Sequence, residues 1–179
     1  MLRKKYVRGF TLIELLVVIS IIGMLAAVTL IVISNARIKG RDAKRVGDVR
    51  QVISGLELYF NDCGSYPVET PAIEIDSTLN LYHGTSATCG TNAGDSTTNG
   101  GIGTTVGTRG TVYIQTLPTA PGPADGATCA AAATPPAGAI ANDIHYSGSA
   151  TTYTITFCLG IGAGNYSAGV RTATPSGIN

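Results

Sequence analysis

RGFTLIELLVVIS, residues Arg8 to Ser20, opens an apolar run that continues to Ser34 and carries one carboxylate, Glu14, near its start. No other charged residue lies between Phe10 and Ser34. At about 1.5 Å of rise per residue, a helix of that length crosses a hydrocarbon core about 30 Å thick with some tilt. The run is therefore a membrane span or a targeting signal. Arg3, Lys4, Lys5 and Arg8 would form the basic region of a secretory signal, and Ser34-Asn35-Ala36 resembles a small-x-small cleavage site. Such signals have apolar cores of roughly 7 to 15 residues, and an acid inside the core is unfavourable. A plain anchor gains nothing from Glu14 either. The carboxylate needs a partner.

Composition constrains the chain beyond the span. The 179 residues suffice for one globular unit beside the apolar run, since about 100 to 200 residues make a domain. The formal net charge of +1 hides an asymmetry: only Arg109 and Arg171 lie beyond Gln51, against Glu57, Asp62, Glu69, Glu74, Asp76, Asp95, Asp125 and Asp143. That surplus of negative charge repels nucleic acid, which is not expected as a partner. Trp is absent, and Gly, Thr, Ala and Ser abound, as in a loop-rich β-containing domain. Cys63, Cys89, Cys129 and Cys158 show no Cys-x-x-Cys spacing, so two disulfides in an oxidising compartment are expected rather than zinc.

Past Ser34 the pattern turns amphipathic. Val46, Val49, Ile53, Leu56 and Phe60 recur at three and four residues, a stripe expected to face a sheet while Arg41, Asp42, Lys44, Arg45, Asp48 and Arg50 face outwards. No proline interrupts the chain before Pro67, so one helix from about Thr11 to about Asn61 is predicted, near 75 Å long. Gly23, Gly40, Gly47 and Gly55 are places where it could flex. Asn61, Gly64 and Pro67 supply its stop signals.

These residues carry a resemblance. Arg8-Gly9-Phe10-Thr11-Leu12-Ile13-Glu14 resembles the processing site of type IV pilins and type II secretion pseudopilins: a basic leader ending in Gly, an aromatic residue, then Glu at the fifth mature position. Leu58 to Pro67 likewise resembles the Tyr-x-x-Asp-x-Gly-x-Tyr-Pro stretch found after the spine helix in major pseudopilins and related pilins. The resemblance implies cleavage after Gly9 by a membrane-embedded prepilin peptidase and N-methylation of the new amino terminus at Phe10. It also implies that Glu14 pairs with a neighbouring subunit's terminal ammonium, so that a charge unfavourable in apolar surroundings is matched on assembly. Many relatives have Pro near the twenty-second mature position, where this chain has Ile31, so a melted spine segment is not expected.

The implied fold is α+β, the pilin fold: a leader over 1–9, a transmembrane and assembly helix over 10–34, the amphipathic half of the spine over 35–61, and a loop-rich β domain over 62–179. Within that domain 68–110 reads as a variable loop, and Thr111 to Leu117 as a strand. Ile144 to Tyr146 with Tyr153 to Leu159 reads as a hairpin whose Tyr153, Ile155, Phe157 and Leu159 cover the spine, and 168–173 as a last strand. Three disulfide connectivities are open, and Cys63–Cys89 with Cys129–Cys158 is the expected one.

The implied function is that of a structural subunit of a type IV pilus-like filament. It would be held in the inner membrane with its carboxyl-terminal domain outside the cytoplasm, then polymerised with copies of itself through the amino-terminal helix by an inner-membrane assembly platform. A periplasmic pseudopilus for protein export and a DNA-binding competence pilin are the alternatives. No enzyme is expected: His83 and His145 lack a nearby nucleophile and acid, and Gly100 to Gly107 lacks the Gly-Lys-Ser/Thr of a phosphate loop. No cofactor is expected. Calcium, which the resemblance to the major pseudopilin brings in, would have Asp125 and Asp143 as candidate ligands, although no contiguous oxygen-ligand motif is present.

Overall fold

The computed structural model describes residues 9–84, 100–104, 109–123 and 143–179. One helix, α1 (Leu12–Cys63), is followed by strands β1 (Glu69–Ile75), β2 (Asn80–Gly84), β3 (Gly100–Gly103), β4 (Arg109–Ile114), β5 (Ile144–Gly148), β6 (Tyr153–Ala163), β7 (Tyr166–Thr174) and β8 (Gly177–Ile178). The chain divides into two units, Met1–Arg37 and Ile38–Asn179, with α1 contributing to both. The expected helix is present with ends within two residues of those predicted, and Gly23, Gly40, Gly47, Gly55 and position 31 are all helical. Gly64 ends it at φ +66°, donating its N–H to the Phe60 carbonyl at 2.7 Å, the left-handed cap that glycine adopts without penalty.

Among its described residues the first unit is helix from Leu12 onward. Its apolar side chains from Leu12 to Ile33 stand outside any core, with exposures from 45% at Val18 to 81% at Leu12.

In the second unit β1, β5, β6, β7 and β8 form an antiparallel sheet in that spatial order, and β3, β2 and β4 form a second. The predicted hairpin is β5–β6, with His145 opposite Thr156 and Tyr146 opposite Ile155. Tyr153, Ile155, Phe157 and Leu159 are all buried, as the alternation requires, and pack in one core with Val46, Val49, Val52, Leu56 and Tyr59 of α1. The buried stripe of the helix runs through Val52 and Tyr59, while Ile53 and Phe60 are half-buried at its margin. The expected last strand is β7.

The reading of 68–110 as a loop is corrected. That stretch holds β1, β2, β3 and the start of β4. Their Gly, Thr and Asn content masked the alternation, but Leu81, Ile102 and Ile114 seal the second sheet onto α1. Gly55 makes that approach close enough that a Cβ there would stand 2.7 Å from Ile114 Cγ1. The strand expected over 111–117 ends at Ile114.

The outward placement of Asp42 and Arg45 is also corrected, since both are fully buried. Arg41 and Asp48 are half-buried, and only Lys44 and Arg50 stand out in water as expected. The Asp42 carboxylate accepts the N–H groups of Gly160, Ile161 and Gly162, each at 2.9 Å, and the Arg45 guanidinium at 2.8 Å. Arg45 also donates to the Pro121 carbonyl at 2.9 Å. The β6–β7 register shifts between Leu159 and Gly162, and Gly162 takes φ +97°, which turns three consecutive amides toward one anion. Helical periodicity placed these charges by angle alone and could not foresee a bulge shaped to receive them.

Cys63 at the end of α1 and Cys158 in β6 are both disulfide-bonded. Cys89 and Cys129 lie outside the described residues, and with them the expected pairings.

Asp42→Ala is expected to destabilise the domain by roughly 3 to 5 kcal/mol, because it strands a buried guanidinium and three amides together. Arg45→Met is expected to lose less, about 1 to 3 kcal/mol, since the carboxylate keeps its three amide donors. Denaturant unfolding of the detergent-solubilised chain, followed by near-ultraviolet circular dichroism of its tyrosines, measures both. Equal losses would show that the amides contribute little.

Candidate functional site

The start of α1 is built around Thr11 and Glu14. Thr11 precedes the first helical residue, and its backbone N–H and hydroxyl donate to Glu14 Oε2 at 2.9 and 2.6 Å. In return the Glu14 N–H reaches Thr11 Oγ1 at 3.3 Å. This reciprocal arrangement is a capping box, which satisfies helix-end donors that have no intrahelical partner. A negative charge in the first turn also complements the positive end of the helix dipole. The Glu14 carboxylate therefore has a local partner in a single chain, in addition to any it meets in a neighbour. Thr11 is the residue the sequence reading passed over, although Thr-x-x-Glu ahead of an apolar run is the signature of this cap.

Gly9 and Phe10 precede the cap, both exposed, with Phe10 74% accessible. Beyond Glu14 the helix presents Leu15, Leu16, Val17, Val18 and Ile19 and continues apolar on every side to Ile33. Ser20 and Thr29 interrupt the pattern only in composition, since their hydroxyls bond back to carbonyls of the same helix: Ser20 to Val17 at 2.7 Å, Thr29 to Leu25 at 2.9 Å. A helix apolar all round with its polar groups internally satisfied is suited to lipid or to other helices, and α1 is long and apolar enough to cross a membrane.

The remaining candidates fall elsewhere. Among the described residues no three His, Cys, Asp or Glu side chains are grouped to hold a metal ion. Asp143 lies one residue ahead of β5, where its charge, after burial, helps raise the Glu74 carboxyl above its usual range. Asp125 is outside the described residues. His145 is buried in β5 and His83 half-buried in β2. The tyrosines around the helix end form a packed group: Tyr66 and Tyr153 meet edge to face at 4.8 Å, and Tyr59 and Tyr113 at 5.8 Å. Burial and the neighbouring Glu57 push the Tyr66 hydroxyl up to about 12, so it stays a donor at any physiological pH.

Residues 4–30 match the prokaryotic N-terminal methylation motif, a span that includes Gly9, Phe10, Thr11 and Glu14. Over 67 residues the chain is 36% identical to the type II secretion system core protein G of Escherichia coli (strain K12). Both matches support a place in the type IV pilin and pseudopilin family. The stretch shared with that pseudopilin is 37% of this chain and 46% of the relative, so the match spans about half of the relative's length. No solved structure matches the chain. The long apolar helix followed by antiparallel sheets is the α+β arrangement expected of a pilin.

Thr11→Val, which keeps the shape and deletes the hydroxyl, is expected to speed hydrogen exchange at the Glu14 amide of this chain in detergent micelles, read by NMR. Unchanged exchange there would mean that the cap is not formed.

Proposed function

We propose that this chain is a structural subunit of a type IV pilus-like filament. The observation that carries the reading is the helix surface from Leu12 to Ile33, apolar on every side and covered by none of the described residues, which begins at a capped carboxylate inside the N-terminal methylation motif. A bilayer covers that surface before assembly, and copies of the same helix cover it afterwards. The energetics of the exchange are mild, because lipid tails and leucine side chains are equally apolar and association draws on packing and polar pairing.

In this reading a prepilin peptidase cuts after Gly9 and the Phe10 amine is methylated. Cutting places an ammonium at the start of α1, where the dipole disfavours positive charge. The Glu14 side chain of a neighbour supplies the counter-ion, which makes the pair an assembly register. The chain is stored as a single span in the inner membrane with 38–179 outside the cytoplasm, where disulfides persist. An inner-membrane platform extracts it into the filament. The role is mechanical rather than catalytic. Cys63–Cys89 and Cys129–Cys158 are the pairings we propose, and peptide mapping without reductant is expected to return both.

A second reading, a periplasmic pseudopilus subunit for protein export, is favoured by the similarity to a type II secretion core protein. Sheared surface fibres separate the two. Abundant fibres whose subunits begin at methylated Phe10 are the expected result, whereas short assemblies confined to the periplasm would transfer the chain to the secretion role. Glu14→Ala is expected to cut fibre yield at least tenfold without lowering the amount of membrane-stored subunit. Normal yield from that variant would refute the register role.

A further inference from the structure

The exposed strip of α1 beyond the span has two halves of opposite charge. Lys44, Gly47 and Arg50 are all exposed, spaced three residues apart, so the two cations stand on either side of a glycine at about 60° each around the helix. An added Cβ at Gly47 would meet nothing within 4 Å, so this is an open notch with positive walls. Further along the same strip Glu57, Leu58 and Asp62 are exposed, and Leu58 is a large apolar side chain left 57% accessible. This is a knob with negative walls.

The charges of the two halves are not settled among the described residues. Among the described residues Arg45 and Asp42 form an ion pair, whereas Lys44, Arg50, Glu57 and Asp62 form none. Lys44 comes near Asp48, one turn on, without closing a pair with it. The two anions are nevertheless held in place. Glu57 Oε1 accepts the Tyr66 hydroxyl at 3.0 Å and the Tyr153 hydroxyl at 3.5 Å, and Asp62 Oδ2 accepts the Tyr113 hydroxyl at 2.6 Å. Those hydroxyls orient the carboxylates but bring no charge. Asp62 sits in the last turn of α1, which carries no basic residue, so the dipole adds to the uncompensated negative charge there.

We infer that the notch of one copy receives the knob of a second copy lying alongside in the same direction. This rests on the filament reading and names a contact outside the membrane-spanning segment. Gly47 and Leu58 are eleven residues apart, about three full turns, and so share a face. When two such faces meet in parallel, Lys44 comes opposite the second copy's Glu57 and Arg50 opposite its Asp62. Both pairings, and the entry of Leu58 over Gly47, are met by one axial stagger of about 18 Å at 1.5 Å per residue. An acidic lipid surface would engage the cations and leave the held anions and Leu58 without a role, so the second copy is the better occupant.

Cross-linking in cells that assemble the full chain tests the contact. Gly47→Cys with Leu58→Cys in one chain is expected to give a ladder of dimers and higher multimers with a short bismaleimide. Eleven helical residues, about 16 Å, keep the two thiols of one chain apart, and each single substitution should give no ladder. Charge exchange is the second arm. Lys44→Glu with Arg50→Glu, or Glu57→Lys with Asp62→Lys, is expected to lower fibre yield at least fivefold, and the four together to restore it to within twofold. Wild-type fibres with neither a ladder nor restoration would overturn this contact and leave the filament reading standing. Loss on reversing the cations, with no restoration by the fourfold exchange, would assign them to acidic headgroups and also overturn it. Absence of fibres from wild-type cells would instead remove the filament reading on which the contact rests.

Discussion

Apolar surface has to be taken out of water, and α1 meets that demand in two ways along its length. From Val46 to Tyr59 its apolar residues form a stripe, and two sheets of the same chain cover it. From Leu12 to Ile33 apolar residues occupy all sides, and the described chain covers none of them. A fully buried Val, Leu or Ile contributes about 1.5 to 3 kcal/mol relative to exposure in water. Leaving the fifteen large apolar side chains of that segment in water would exceed the net stability of a typical domain, about 5 to 15 kcal/mol. The amino-terminal segment thus requires an apolar environment from outside the chain, and the functional reading grows from that requirement.

Polar groups obey the complementary rule that burial demands partners. At the helix start the cap of Thr11 and Glu14 satisfies end donors where no water would reach them in a bilayer. In the second unit Asp42 does the same for three amides of the β6 bulge while neutralising Arg45. Such a pair adds little stability in itself compared with apolar residues of similar volume. Its specificity is geometric, since it fixes one turn of α1 against one bulge of β6, a register that interchangeable Val and Ile contacts leave loose.

Charge is distributed by the same logic. Buried Asp42 and Arg45 are matched within the chain, and Glu14 has its cap, whereas the exposed Lys44, Arg50, Glu57 and Asp62 form no ion pair among the described residues. Exposed charges in high dielectric tolerate that state at little cost, so nothing within one copy forces them to pair. They remain available to a partner that brings the opposite pattern, and another copy of the chain carries it.

The amino-acid sequence alone determined the elements whose signals are local. The span follows from uninterrupted apolarity, the helix from its period and its lack of proline, its end from Gly64, and the β5–β6 hairpin from strict alternation over 153–159. The processing motif was legible because it is contiguous, and the Thr-x-x-Glu cap at Thr11 is legible for the same reason. Tertiary structure decided what depends on distant partners. Strands β2 and β3 exist because Leu81, Ile102 and Ile114 find α1, not because their Gly-rich segments favour extension, and β1 exists because it pairs with β5. Asp42 and Arg45 lie inside because a bulge 118 residues further along presents its amides to them. Periodicity assigns a residue to a face of its own helix, but only the path of the rest of the chain determines whether water or protein meets that face.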